Sequence, residues 1–280
     1  MIIISPVKAY AVSAVYRAGP GRVHVALLGG FRLLAGNDVL PVSGGSERLL
    51  AFVALHPQAV GRLLVAGTLW SEVSEGRAYA ALRSALARLD RAGRQTLQVT
   101  ASSLELTQGV AVDLRDARAL AHRLLGPTPP AEADLSAAAT ASLSLDLLPL
   151  WYDDWVLLEA EEWHQLRLHA LEALVGGLTA ARRFGDAATA AGAAIRADPL
   201  RESAQAALIR VHLAEGNQSE ALRVFDRFSR LLQADLGLVP TPQLRELVAD
   251  LLQPRHRDGR GVSSDNAHPA HRAPDHPGPL

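Results

Sequence analysis

The chain has 280 residues, 49% of them hydrophobic, with a formal net charge of −1; that apolar content excludes wholesale disorder and allows two modest domains. It contains no cysteine, which excludes disulfides, thiolate metal sites and a cysteine nucleophile. The opening MIIISPVKAY has too short an apolar run, and no preceding basic segment, for a secretion signal, and no stretch reaches the ~18 apolar residues of a membrane span, so a soluble cytoplasmic protein with no membrane partner is expected.

The near-zero charge conceals an asymmetry. Residues 1–125 hold 14 Lys/Arg against 8 Asp/Glu, residues 126–253 hold 10 against 18, and residues 254–280 hold 4 against 3. A basic first part and an acidic second part predict two domains with different partners, the basic one facing a polyanion. Lys8 is the only lysine, so that positive charge is almost all guanidinium.

Residues 1–21 show no clear pattern and read as an extension. From Val23 the chain alternates through VHVALLGGFRLL, turns at Gly36-Asn37-Asp38 and resumes as VLPV, which predicts a β-hairpin or small antiparallel sheet. SGGSERLLAFVALHPQ follows with helical spacing, Ser46 as its N-cap and Pro57 as its stop. RLLVAGTLW (62–70) predicts a second, shorter helix, and residues 74–93 a third. LQVT–ASS–LELT (97–107) is alternation, turn and alternation, a second hairpin, and VAVDL (110–114) adds a short strand. Three helices followed by a hairpin form the winged-helix arrangement, in which the third helix enters the major groove and the hairpin tip lies along the backbone or minor groove.

That third helix is unusual. RAYAALRSALARLDRAGR (77–94) carries five arginines in eighteen residues. On a helical wheel Ala78, Tyr79, Leu82, Ala85, Leu86 and Leu89 fall within an arc of roughly 120°, while Arg77, Arg83, Arg88, Arg91 and Arg94 fall opposite. Ala80, Ala81, Ser84 and Ala87 lie among them and keep the surface low. An ordinary solvated face has this charge pattern too; the competing reading is a helix that meets phosphate, whose oxygens a guanidinium matches bidentately.

GPTPPAEAD (126–134) reads as a linker or loop. Beyond it the chain is predicted almost wholly helical, with segments bounded by Gly, Pro or Asn. Ala187 in RRFGDAATAAGAAIRADP aligns with Ala221 in GNQSEALRVFDRFSRLLQ, an offset of 34 residues, which is the tetratricopeptide (TPR) period. Residues 254–280, rich in Pro, Gly, His and Arg, read as a disordered tail in which His268, His271 and His276 are exposed and not ligands. Trp151, Tyr152, Trp155 and Trp163 sit among acids that repel nucleic acid, so packing is expected of them. His164 and His169 are five apart and do not converge on one helix face.

Several segments together resemble a known family. LLGGFRLL, ERLLAFVALHP and RAYAALRSALARLDRAG are similar to the OmpR-type winged-helix domain of bacterial regulators that carry a bacterial transcriptional activator domain (BTAD), of which SARP-type activators are members. LLPLWYDDWVLLEAEEWHQLRLHALEAL (147–174), RADPLRESAQAALIRVHLAEGNQSEALRVFDRF and LQADLGLVPTPQLRELVADL resemble the BTAD itself. The resemblance implies a mainly α fold with a small β portion: a winged helix-turn-helix over 22–115, then a TPR-like helical domain over 116–253. It implies a bacterial transcriptional regulator of the activator kind that binds promoter duplex DNA, its helical domain mediating dimerisation or contact with RNA polymerase. Neither enzyme activity nor a cofactor or metal is expected, and no G-x-x-x-x-G-K-[ST] nucleotide-binding sequence occurs. The alternative is a helical-repeat adaptor whose winged helix binds protein.

Carried onto this chain, the resemblance makes 77–94 the recognition helix and places the wing near 100–103. Arg77, Arg83, Ser84 and Arg88 are the candidates for base or phosphate contact. Arg91 and Arg94, at the helix end, are expected on phosphate, with Arg62 adding a backbone contact and Thr100, Ser102 and Ser103 forming the wing tip. The alanines of the reading face favour shape readout over dense base hydrogen bonding.

Overall fold

A computed structural model describes residues 23–252; the extension over 1–21 and the tail over 254–280 lie outside the described residues. The chain opens with a meander of β1 (Val23–Ala26), β2 (Arg32–Ala35) and β3 (Asp38–Leu40). Gly36, at φ +63°, supplies the left-handed turn between β2 and β3. β7 (Ala111–Val112) returns after the first helices and pairs in parallel with β1, giving the order β3-β2-β1-β7. The strand expected over 110–114 is thus two residues long, because Asp113 already begins the next helix.

Helix α1 (Gly44–Leu55) is buried at every position from Leu49 to Leu55. A helix apolar on all sides belongs in the middle of a domain. It starts earlier than the expected Ser46 cap, after the extended residue Ser43. β4 (Val60–Gly61) leads into α2 (Arg62–Leu69) and then α3 (Glu75–Arg88), a short α4 (Arg91–Gln95), β5 (Leu97–Val99) and β6 (Ser103–Leu106). β4 pairs with β6, so the hairpin becomes a three-stranded sheet of order β4-β6-β5.

The remainder is helical: α5 (Asp113–Leu124), α6 (Ala137–Leu143), α7 (Asp154–Ala180), α8 (Phe184–Ala197), α9 (Glu202–Glu215), α10 (Gln218–Leu236), α11 (Pro242–Glu246) and α12 (Ala249–Leu252). The predicted loop at 126–134 contains a 3-10 turn, Glu132–Asp134, held by Arg123, which donates to both Asp134 oxygens at 2.8–3.3 Å. Helices α8 and α10 begin 34 residues apart, and Ala187 and Ala221, the aligned alanines, are both fully buried. Small residues there let α7–α8 and α9–α10 pack closely in a TPR-like stack. Gly216 (φ +90°) and Gly237 (φ +67°) end α9 and α10 in the left-handed conformation that a C-cap requires.

One apolar core runs through most of the molecule, from Val25 of the first sheet and Leu28 just after β1, through α1, α3, α5 and α7, to Ala204 and Val211 of α9. A smaller cluster built on Ile209, Phe225, Phe228, Leu244 and Val248 closes the C-terminal end. No helix among the described residues is long and apolar enough to cross a membrane.

Candidate nucleic-acid interface

α3 is shaped by its apolar spacing. Ala78, Leu82 and Ala85 are buried and Tyr79 and Leu86 pack half-buried against the core, while Arg77, Ala80, Arg83, Ser84, Ala87 and Arg88 are exposed. The two faces of the wheel are therefore the two faces of the folded helix. A hydroxyl anchors the inner face: fully buried Ser46 of α1 donates to the Ala85 carbonyl at 2.8 Å. That residue reads as an N-cap in the sequence. Its buried role is not visible there, because Ser46 stands beside Glu47 and Arg48, ahead of the apolar run of α1.

The helix does not continue to residue 94. Leu89 and Asp90 leave the helical region, with ψ of 131° and −177°, and α3 stops at Arg88. Asp90 caps α4 instead, its carboxylate accepting from the Gly93 N–H at 2.6 Å. A wheel treats Asp90 as one more outward residue; the physical reason for the break is that an aspartate competes for backbone N–H groups and favours caps over helix interiors. Two of the candidate residues therefore lie beyond α3. Arg91 is exposed at the start of α4. Arg94 folds back, donating Nε to the Leu89 carbonyl at 2.9 Å and Nη2 to the Ala87 carbonyl at 2.8 Å. It satisfies carbonyls that the end of α3 leaves open, so its guanidinium is already committed within the protein.

The hairpin tip is organised by Thr100. Its hydroxyl oxygen accepts from the Ser103 and Ser102 backbone N–H groups at 2.9 and 3.3 Å and meets Ser103 Oγ at 2.9 Å. Ser102 is exposed at the tip, whereas Ser103 is half-buried on β6. Arg62, the first residue of α2, is tied to this turn: its N–H donates to the Ser102 carbonyl at 2.8 Å and its guanidinium to the Thr100 carbonyl at 3.2 Å. Arg62, Thr100, Ser102 and Ser103 thus form one cluster, and Arg77, Arg83, Ser84 and Arg88 another on α3, with α4 and β5 between them in the chain.

Ion pairing engages some of the arginines and leaves those of α3 open. Arg48, Arg118, Arg123, Arg167, Arg183, Arg201 and Arg223 are each paired with a carboxylate. Among the described residues Arg62, Arg77, Arg83, Arg88 and Arg91 form no ion pair. A surface of unpaired guanidinium groups with low alanines between them is suited to a polyanion approaching closely.

The helical half braces this unit. Trp151 packs near Phe31 with ring centroids 6.3 Å apart, and Trp155 meets Phe52 of α1 edge-on at 5.2 Å. Trp163 is fully buried and donates its indole N–H to the Leu145 carbonyl at 2.9 Å. These indoles are packing residues, as expected; Tyr152, 77% exposed, is not. Arg48 of α1 pairs with Asp153. Arg167, 2% exposed, pairs with Asp146 and donates to the Ser144 carbonyl at 3.2 Å; burial lowers its affinity for a proton, and Asp146 opposes that. Asp113, the first residue of α5, accepts from the Leu27, Leu28 and Leu114 N–H groups at 2.8, 3.1 and 2.7 Å. Burial nevertheless raises its carboxyl to about 6 against those bonds. His164 meets Arg167 and His169 meets Arg201, so the two histidines serve different partners.

Residues 112–252, half of the chain, match the model of the bacterial transcriptional activator domain. The chain belongs to the BTAD family. The regulatory protein AfsR of Streptomyces griseus is 29% identical over 253 residues, covering 82% of this chain and 24% of that protein. AfsR of Streptomyces coelicolor is 27% identical over 248 residues, covering 83% and 24%. This BTAD chain therefore spans about a quarter of the length of these relatives. The solved structure of Mycobacterium tuberculosis EmbR in complex with a low-affinity phosphopeptide superposes with a TM-score of 0.62 at 22% identity, over 83% of this chain and 66% of that one. At that identity the likeness concerns the fold alone.

Proposed function

We propose that this BTAD chain is a transcriptional regulator that grips promoter duplex DNA through the exposed face of α3, with its N-terminal unit acting as a winged helix and the β5–β6 hairpin as the wing. The observation that carries this reading is the clustering of Arg77, Arg83 and Arg88, none of them ion-paired among the described residues, on one exposed face of α3. From Arg77 to Arg88 the face is about 16 Å long at 1.5 Å per residue, and a helix of that diameter fits a major groove about 12 Å wide. Arg77, Arg83, Ser84 and Arg88 meet base edges or phosphate along the groove; Arg91, Arg62 and Ser102 meet the flanking backbone. Family membership and the AfsR relatives, described as regulatory proteins, support activation as the mode.

The protein acts by binding and not by catalysis, in the cytoplasm. The acidic TPR-like stack offers the surface for a second copy of the chain or for RNA polymerase. The experiment is a selection of random duplex DNA by the purified chain at near-physiological salt. Enrichment of one motif, most informatively as a repeat, supports the reading. Retention without enrichment assigns α3 to backbone alone, and no retention assigns the N-terminal unit to a protein partner.

A further inference from the structure

A cavity of about 550 Å³ opens between the turn that joins α2 to α3 and the start of α7. Trp70 and Glu72 line it from the first side, Tyr152, Asp153, Asp154 and Trp155 from the second, and Arg48 of α1 lies among them. Its volume is that of a small-molecule site, and it lies where two halves of a protein meet, which is where such sites concentrate.

The lining states a chemistry. Three aromatic residues, Trp70, Tyr152 and Trp155, line it, and aromatic rings attract cations. Three carboxylates stand against one guanidinium, and that guanidinium is already paired with Asp153. Glu72 accepts from the Ser71 hydroxyl at 3.0 Å, which leaves its charge in place, and Asp154 forms no ion pair among the described residues. We propose that this cavity binds a free small organic ammonium compound. Glu72 and Asp154 neutralise the ammonium, and the aromatic residues hold its apolar body. The proposal stands independently of DNA binding. Because Glu72 precedes α3 by three residues, an occupant touches both the interface helix and the helical half.

Three probes share a phenyl ring and a hydroxyl and differ only in charge: 2-amino-1-phenylethanol as its ammonium, neutral 1-phenylethanol, and the anion mandelate. Each is titrated into the full chain at neutral pH, and the indole N–H resonances of Trp70 and Trp155 are followed by NMR. The ammonium compound is expected to shift both resonances saturably and to bind about tenfold more tightly than the alcohol, with mandelate weakest. Glu72→Gln and Asp154→Asn, checked for unchanged melting, are each expected to weaken the ammonium compound about threefold or more and to leave the alcohol unchanged. Absence of saturable shifts, equal affinity for the three probes, tightest binding of mandelate, or indifference to both substitutions overturns the proposal.

Discussion

Arg83, Arg88 and Arg94 carry the same group and do different work. The first two project from α3 without a carboxylate partner, and the third is spent on the carbonyls of Ala87 and Leu89. Arg83→Ala and Arg88→Ala are expected to weaken duplex binding by about 1–3 kcal/mol each, and each to reduce the steepness of the salt dependence by about one. Circular dichroism and melting should be unchanged. Arg94→Ala is expected to weaken binding while leaving the salt slope as it was, since it positions the end of α3 and touches no phosphate; a slope reduced by one would place Arg94 on DNA. Asp113 makes a prediction of a different kind. Its folded value, about 6, lies above its ordinary 3.8, so the fold favours the protonated form. The stability it contributes is complete below about pH 4, falls as pH rises to about 6, and is flat above, a change of about 2–3 kcal/mol. Urea unfolding of the wild type and Asp113→Asn across that range isolates it: the wild type should lose stability relative to the variant between pH 4 and 6, and a constant difference would refute the assignment.

At the scale of the element, α3 divides into a face that packs against the core and an exposed face, the one proposed to bind. Leu82 is fully buried, and Leu82→Ala should cost about 2–5 kcal/mol in chemical denaturation; Leu86, half-buried, should cost less. Normal stability of both variants would mean that the faces are assigned wrongly. The faces were legible in the sequence because helical periodicity sorts apolar from charged residues whatever surrounds them. The 34-residue echo was legible for the same reason, small residues recurring where helices must approach. The break at Leu89–Asp90 was not, since a wheel has no term for an aspartate that captures the Gly93 N–H. The roles of Ser46, Arg94 and Arg62 were also out of reach. Each depends on a carbonyl brought near by tertiary packing, 39, 5 to 7 and 38 residues away in the chain. The wing residues were found as a turn, but only coordinates show that Thr100 and Ser103 bond each other while Ser102 stays open.

At the scale of the molecule, the basic unit and the acidic stack share one core and are tied by Arg48–Asp153, by Trp155 against Phe52 and by Asp113 beneath β1. The two halves are therefore expected to unfold in a single cooperative transition, seen as coincident denaturation by tryptophan fluorescence and far-ultraviolet circular dichroism. Trp155→Ala should weaken that coupling and separate the probes, whereas two transitions in the unaltered chain would contradict a shared core. The charge division gives the proposed function a simple form: a polyanion is expected to meet the N-terminal unit, and the acidic stack to stay clear of it for other contacts. The measurement that tests this most directly is the salt dependence of duplex binding by the full chain and by the Arg83→Ala/Arg88→Ala variant. With Arg62, Arg77, Arg83, Arg88 and Arg91 on phosphate, log K should fall against log salt with a slope of roughly −4 to −5, and the double variant should recover about two of that. A shallow slope that the two substitutions leave unchanged would show that the arginine face of α3 does not meet DNA.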